Sequence, residues 1–218
     1  MENAEEARRG LLDRVRTLTG RGRRALIGIT GCPGAGKSTA AAWLARSIDP
    51  EARRAVRVPM DGFHLADAEL RRLDRLGRKG AVDTFDGRGY LQLLRRAAAE
   101  RDANVYAPEF DRRLEQPVAG SIPIPPEAEL VVTEGNYLLD PEEPWPLVRG
   151  ALTEVWYCDL DDETRLARLA ERHRAFGKSR ERTRAWIEAV DEPNARRIRK
   201  YRDLADLVFD FGALGIGA

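Results

Sequence analysis

The stretch Ala25-Leu-Ile-Gly-Ile-Thr-Gly31-Cys-Pro-Gly-Ala-Gly36-Lys37-Ser38-Thr39 decides how the rest of the chain is read. Its opening run, Ala25 to Thr30, lacks polar alternation, the pattern of a short strand buried on both faces. Gly31 to Ser38 then match G-x-x-x-x-G-K-[ST], a loop whose glycines let backbone N–H groups turn inward around a polyphosphate. A helix running on through about Ile48 would point its positive N-terminal end at the same phosphates. In a chain of this composition about 0.002 chance matches to the motif are expected, which disfavours a plain glycine turn capping a helix. Only four lysines occur (Lys37, Lys79, Lys178 and Lys200), and one stands where the motif needs a compact ammonium. The spacing predicts a nucleotide site on Gly31, Cys32, Pro33, Gly34, Ala35, Gly36, Lys37, Ser38 and Thr39. Lys37 would reach the terminal phosphates and Ser38 would ligate Mg2+. Cys32 is read there as a small side chain at a variable position, not as a reactive thiol.

Working outward, further apolar strands fit Ala55–Met60, Leu130–Thr133, Leu152–Cys158 and Leu207–Phe211. Helical spacing covers 4–19, with Gly20 and Gly22 closing that helix, and then 66–76, 87–101, 161–176 and 181–203. Strands alternating with helices predict an α/β fold: a parallel five-stranded sheet flanked by helices, the three-layer P-loop NTPase arrangement. One domain over 1–218 is expected, with an N-terminal helix in 1–22. Two stretches break the rhythm. Residues 76–89 hold four glycines and read as a long loop, and Val105–Ile124 reads as a ribbon leaving the main sheet. Long irregular segments of this kind commonly bind ligands. His64, Asp83, Phe85, Tyr106, Phe110, Asp111 and Arg112 are therefore the candidate acceptor contacts, aromatic walls with a few polar groups. Trp43, Trp145, Trp156 and Trp186 are read as packing residues.

Charge excludes some classes. The 37 Lys+Arg residues against 36 Asp+Glu give a formal net charge of +1, unlike the strongly basic domain of a general nucleic-acid binder. Two cysteines, Cys32 and Cys158, make no disulfide framework and point to a reducing compartment. No apolar run approaches the roughly 18 residues of a membrane helix, and the acidic N-terminus is unlike a signal peptide. A cytoplasmic protein with no nucleic-acid or membrane partner is expected; a homodimer is left open. His64 and His173 are too few for a metal site built from imidazoles.

A phosphate loop does not choose an acceptor. Acids at the carboxyl ends of parallel strands, where α/β sheets place their ligands, are the next candidates. Asp61 follows the second strand in Met60-Asp-Gly-Phe-His64, and Glu134 follows the third in Glu134-Gly-Asn-Tyr-Leu. Phosphoryl transfer uses one carboxylate near the acceptor hydroxyl and often another near the metal; spacing alone does not say which acid is which. Together with Tyr106…Phe110-Asp-Arg112 and the later arginine-rich helix, these residues resemble the uridine kinase, pantothenate kinase and phosphoribulokinase group over most of 24–211. Within that group the resemblance is nearest to bacterial nucleoside/nucleotide kinase family proteins, including fructose-transport-kinase-like ones. It implies ATP and Mg2+ as cofactors and a hydroxyl of a small metabolite as acceptor, a nucleoside, a pantothenate-like compound or a sugar. It also implies Asp61 as the base toward that hydroxyl and a metal or water contact for Glu134. The group's substrate-pocket patterns have no clean counterpart here.

Charge is also segregated. Glu134–Glu163 carries nine acids and one base, whereas Arg165–Arg184 carries eight bases and two acids. Arg165, Arg168 and Arg172 fall on one helical face at i, i+3 and i+7, with Leu166, Leu169 and Ala170 on the other. The resemblance implies that 164–184 is a lid over ATP, its helix ended by a hinge at Gly177. Arg168 and Arg172, with Arg174 beside them, would stabilise the transferring phosphoryl group. A GTPase-type switch or other regulatory nucleotide-binding module is the rival. It calls for an Asn/Thr-Lys-x-Asp guanine-reading segment, and none of the four lysines lies in one. The short chain has no second nucleotide signature, as a motor or transport ATPase subunit would lead one to expect.

Overall fold

A computed structural model describes residues 2–19, 23–51, 53–177 and 179–216. Gly20, Gly22 and Lys178 lie outside the described residues. The chain forms α1 (Glu2–Thr19), β1 (Ala25–Thr30), α2 (Lys37–Ile48), β2 (Ala55–Pro59), α3 (Asp67–Arg72) and α4 (Gly87–Ala99). The pair β3 (Val105–Asp111) and β4 (Gln116–Ile124), then β5 (Leu130–Glu134), α5 (Trp145–Ala151) and β6 (Glu154–Asp159) follow. Helices α6 (Asp162–Ala175), α7 (Arg180–Trp186) and α8 (Glu192–Arg199) lead to the last strand, β7 (Leu207–Asp210).

Every residue of β1 and β5 is buried, which only a central position with both faces covered allows. Accordingly five strands form one parallel sheet in the order β2-β5-β1-β6-β7. One face carries a core of Leu11, Val15 and Leu18 from α1 with Ala41 and Leu44 from α2 against Ile27, Leu130 and Trp156. The other face packs Tyr90, Leu91 and Leu94 of α4 and Trp145 and Val148 of α5 against Leu26, Val131 and Val155. The α/β class and the five-stranded parallel sheet flanked by helices are as the sequence predicts. β3 and β4 form a separate antiparallel ribbon over 105–124. Among the described residues no helix is long and apolar enough to cross a membrane.

Boundaries differ where local backbone chemistry overrides periodicity. The helix expected over 66–76 stops at Arg72, because Asp74 takes a left-handed φ of 54°. The long helix expected over 181–203 is broken into α7, a π turn at Ile187–Asp191 and α8. Pro193 has no N–H to offer the turn before it, and the Glu192 N–H reaches back to the Ile187 carbonyl, five residues away. The fourth strand starts at Glu154, not Leu152, and the second ends at Pro59, with Met60–Phe63 tightening into a 3-10 turn.

Candidate active site

Strand register brings the distant motifs to one level. Ile29 on β1 and Pro59 on β2 both lie opposite Glu134, the last residue of β5. The phosphate loop starting at Gly31 and the Met60-Asp61 turn therefore leave the same edge of the sheet on either side of Glu134. The loop is tightly built. A Cβ on Gly31 would lie 2.3 Å from the Cys158 carbonyl oxygen, so no side chain fits there. Gly36, at φ 99°, is the left-handed residue that turns the chain into α2, and Phe211 packs where its Cβ would stand. Lys37 is buried and folds its ammonium back onto the loop, donating to the carbonyls of Gly31 at 2.8 Å and Cys32 at 3.0 Å. Burial lowers its proton affinity, partly offset by the charge of Glu134. The Cys32 sulfur faces the Tyr157 hydroxyl at 3.3 Å and the Ala195 carbonyl at 3.7 Å, a packing position beneath the loop.

Glu134 is 4% exposed. Burial pushes its carboxyl above the ordinary range and the charge of Asp61 adds to this; Arg57 (3.5 Å away), Lys37 and a hydrogen bond with Ser38 pull the other way. Asp61 is more open and pairs with Arg112 at 2.9 Å. His64, three residues on, holds the Asp61 carbonyl with Nδ1 at 2.8 Å and lies between the rings of Phe85 and Phe110, at 4.0 and 5.0 Å. Desolvation there lowers its pKa.

Helix α6 starts at an Asp161 cap that accepts from the Thr164 N–H. Its buried side is Arg165, Leu169 and His173, so the expected division into an arginine face and a Leu166/Leu169/Ala170 face does not hold. Arg165 is 1% exposed and spends its guanidinium on Asp162 (2.9 Å), Glu192 (2.5 Å) and the Pro33 carbonyl of the phosphate loop (3.2 Å). Arg168 stacks 4.6 Å over Phe211. Arg172 looks into the space above the loop; the walls around it desolvate it and lower its pKa, opposed by Asp191, Asp61 and Glu134. His173 meets Asp191 at 2.8 Å, joining α6 to the π turn. Gly177 follows the helix at φ 84°.

A cavity of about 530 Å³ gathers most of these groups. Pro33, Lys37, Ser38, Asp61, His64, Phe85, Phe110, Arg112, Glu134 and Arg172 all line it. Asp83, Tyr106, Asp111 and Arg168 do not. Asp83 is held by Arg75 and Arg78 within its own loop. Tyr106 is 55% exposed on the ribbon. Asp111 accepts from the N–H groups of Arg113 and Leu114 and so closes the hairpin turn. The cavity adds residues the sequence did not single out: Lys79, Asp67, Asn136 and Asn194. Arg57, the ion-pair partner of Glu134, and Phe211, the stacking partner of Arg168, also escaped. Asn136 had a signal in Glu134-Gly-Asn136; the others reach the site only through the fold.

A glycine-built phosphate loop on the central strand of a parallel sheet, with two acids beside it, defines a P-loop nucleotide-binding protein. A profile described as methylmalonyl Co-A mutase-associated GTPase MeaB matches residues 1–61, the part containing this loop. A Schizosaccharomyces pombe protein described as a candidate uridine kinase is 34% identical over 173 residues, covering 77% of this chain and 74% of its own. The Bacillus velezensis pantothenate kinase is 28% identical over 200 residues, 88% of this chain and 59% of the relative. The solved structure of a candidate fructose transport system kinase from Silicibacter sp. TM1040 superposes with a TM-score of 0.81 at 33% identity, covering 96% of this chain and 99% of that one. The chain belongs to this family of P-loop kinases.

Proposed function

We propose that this protein is a single-domain, ATP- and Mg2+-dependent kinase that phosphorylates a hydroxyl of a small polar metabolite. One observation carries the reading: Lys37, Asp61, Glu134 and Arg172 face one cavity, although they come from four separate segments. The triphosphate lies along residues 31–39, its γ-phosphoryl directed toward Asp61. Lys37 exchanges its two loop carbonyls for phosphate oxygens. Asp61 accepts the acceptor's hydroxyl proton as that oxygen bonds to the γ-phosphorus and the bond to the ADP oxygen breaks. Arg172 neutralises the charge spread over the transferring group. Arg168, stacked on Phe211 beside Gly36, lies at the outer edge of the loop and contributes to nucleotide binding. Residues 164–184 act as the lid, with Gly177 as the hinge that ends its helix.

The donor set fits Mg2+: Ser38 with one buried carboxylate, Glu134, leaves the remaining positions to phosphate oxygens and water, the usual coordination of that ion. When bound there, the ion neutralises β- and γ-phosphate charge. This supports the reading of Asp61 as base and Glu134 at the metal. The burial of Glu134 beside Ser38 suits a site completed by a cation, while the more open Asp61 suits contact with an exchanging acceptor. The guanine-reading segment that a switch would need is missing from the sequence, which favours ATP.

Acceptor-stimulated ADP release, screened over nucleosides, pantothenate and sugars, tests the reading. Wild type should show slow ATP hydrolysis alone and strong stimulation by its acceptor. Asp61→Asn should lose about a hundredfold or more in turnover while binding ATP as before. Full turnover in that variant would remove Asp61 as the base.

A further inference from the structure

The carboxylate assigned above to the acceptor is engaged by an arginine, with Arg112 Nη2 2.9 Å from Asp61 Oδ2. Arg112 sits just beyond β3, where the ribbon turns, and this turn is tied down. Lys79 donates to the Glu115 carbonyl at 2.6 Å and pairs with Asp67 at 2.6 Å, and the Asp67 N–H donates to Gln116 at 3.2 Å. Both cations stack on one ring, Lys79 at 5.1 Å and Arg112 at 5.2 Å from the centre of Phe110. Lys79 is thus fixed in a structural role. The Arg112 side chain is 49% exposed and has only Asp61 within ion-pair distance among the described residues.

Arg172 faces the same space, and no carboxylate lies within ion-pair distance of it among the described residues. The γ-phosphate answers Arg172. If Asp61 turns to a hydroxyl, the half-exposed Arg112 loses its ion-pair partner beside a second guanidinium, Arg172, and is left open to an anion that arrives with the hydroxyl.

We propose that Arg112 is a specificity-determining residue selecting an acceptor that carries its own anion, a carboxylate or phosphate ester near the reacting hydroxyl. The incoming anion takes Arg112 from Asp61, and the same exchange frees Asp61 to receive the hydroxyl proton. The inference rests on the phosphotransfer reading above and narrows its acceptor to a hydroxy acid or sugar phosphate. Neutral nucleosides and free sugars leave Asp61 latched. Phe85 and Phe110 provide an apolar wall for a short carbon skeleton, while the planar fork of Arg112 suits either anion.

Matched pairs test this: glycerate with glycerol, pantothenate with pantothenol, and fructose 6-phosphate with fructose. Each is assayed by ADP release with wild type, Arg112→Ala and Arg112→Lys. The expected result is a preference of about tenfold or more in kcat/KM for the anionic member of at least one pair. Arg112→Ala should raise that acceptor's KM roughly ten- to hundredfold with little change in kcat, the loss of one charge-assisted contact. Arg112→Lys should recover part of it. Equal use of a neutral partner overturns the proposal. So does an Arg112→Ala enzyme that loses kcat for every acceptor at unchanged KM, since Arg112 would then serve the phosphoryl group. Stimulation by neutral compounds alone overturns the proposal but keeps the phosphotransfer reading. No stimulation by any hydroxyl compound removes both.

Discussion

Glu134 shows how burial at a strand end tunes a single carboxyl. Its surroundings favour the neutral form, so the folded protein holds that proton more tightly than the unfolded chain. Stability from this group is therefore fully present below the ordinary carboxylate range and lost as pH rises through the raised folded value. Glu134→Gln is neutral at every pH. Without nucleotide it should match wild type in acid and melt higher near neutrality, by roughly 2–4 °C for about 1 kcal/mol. Thermal melts across pH check this. Adding ATP and Mg2+ should reverse the order, because wild type gains the metal contact and the variant does not. A variant that melts lower than wild type at neutral pH without ligand would mean that the Arg57 pair outweighs burial. Glu134 was legible in sequence as an acid ending an apolar strand. Its partner Arg57 was not, because 77 residues separate them and only the β2–β5 register joins them.

At the scale of elements, local chemistry was readable and long-range satisfaction was not. The phosphate loop, the buried central strands and the ribbon each declare themselves within a dozen residues. Helix α6 does not, because an amphipathic pattern assigns every arginine to solvent, whereas Arg165 is buried. It is satisfied by Asp162 three residues away, by Glu192 at 27 residues and by Pro33 at 132. The guanidinium thereby ties α6 to the phosphate loop and to α8. Arg165→Ala would leave two carboxylates and a carbonyl without it. Because Asp162 and Glu192 retain some solvent, the expected cost is about 2–3 kcal/mol, or roughly 5–10 °C in melting temperature. The same variant should bind ATP more weakly, since Pro33 begins the turn of the loop. Calorimetry of unfolding and of nucleotide binding would separate the two effects. Full stability with normal ATP affinity would show that α6 and the loop are held independently.

Across the whole molecule, a net charge of +1 hides an acidic block over 134–163 and a basic block over 165–184. The acids include Glu134, the strand end that lines the cavity, while α6 brings Arg172 to the same cavity. Arg174, Arg180 and Arg182 are exposed, and Gly177 interrupts the helical backbone between them. If 164–184 closes on nucleotide, these bonds should change their access to protease. Limited trypsin digestion of the free protein should cut first in this region, leaving an N-terminal fragment of about 174–184 residues identifiable by mass. A non-hydrolysable ATP analogue with Mg2+ should slow that cut several-fold, and an acceptor should slow it further, because a segment drawn onto the phosphates opens less often. Cleavage at unchanged rate with saturating nucleotide would fix 164–184 as a static wall. Its arginines would then act from the positions they hold in the free protein, with Arg172 already above the loop and Arg168 remaining on Phe211.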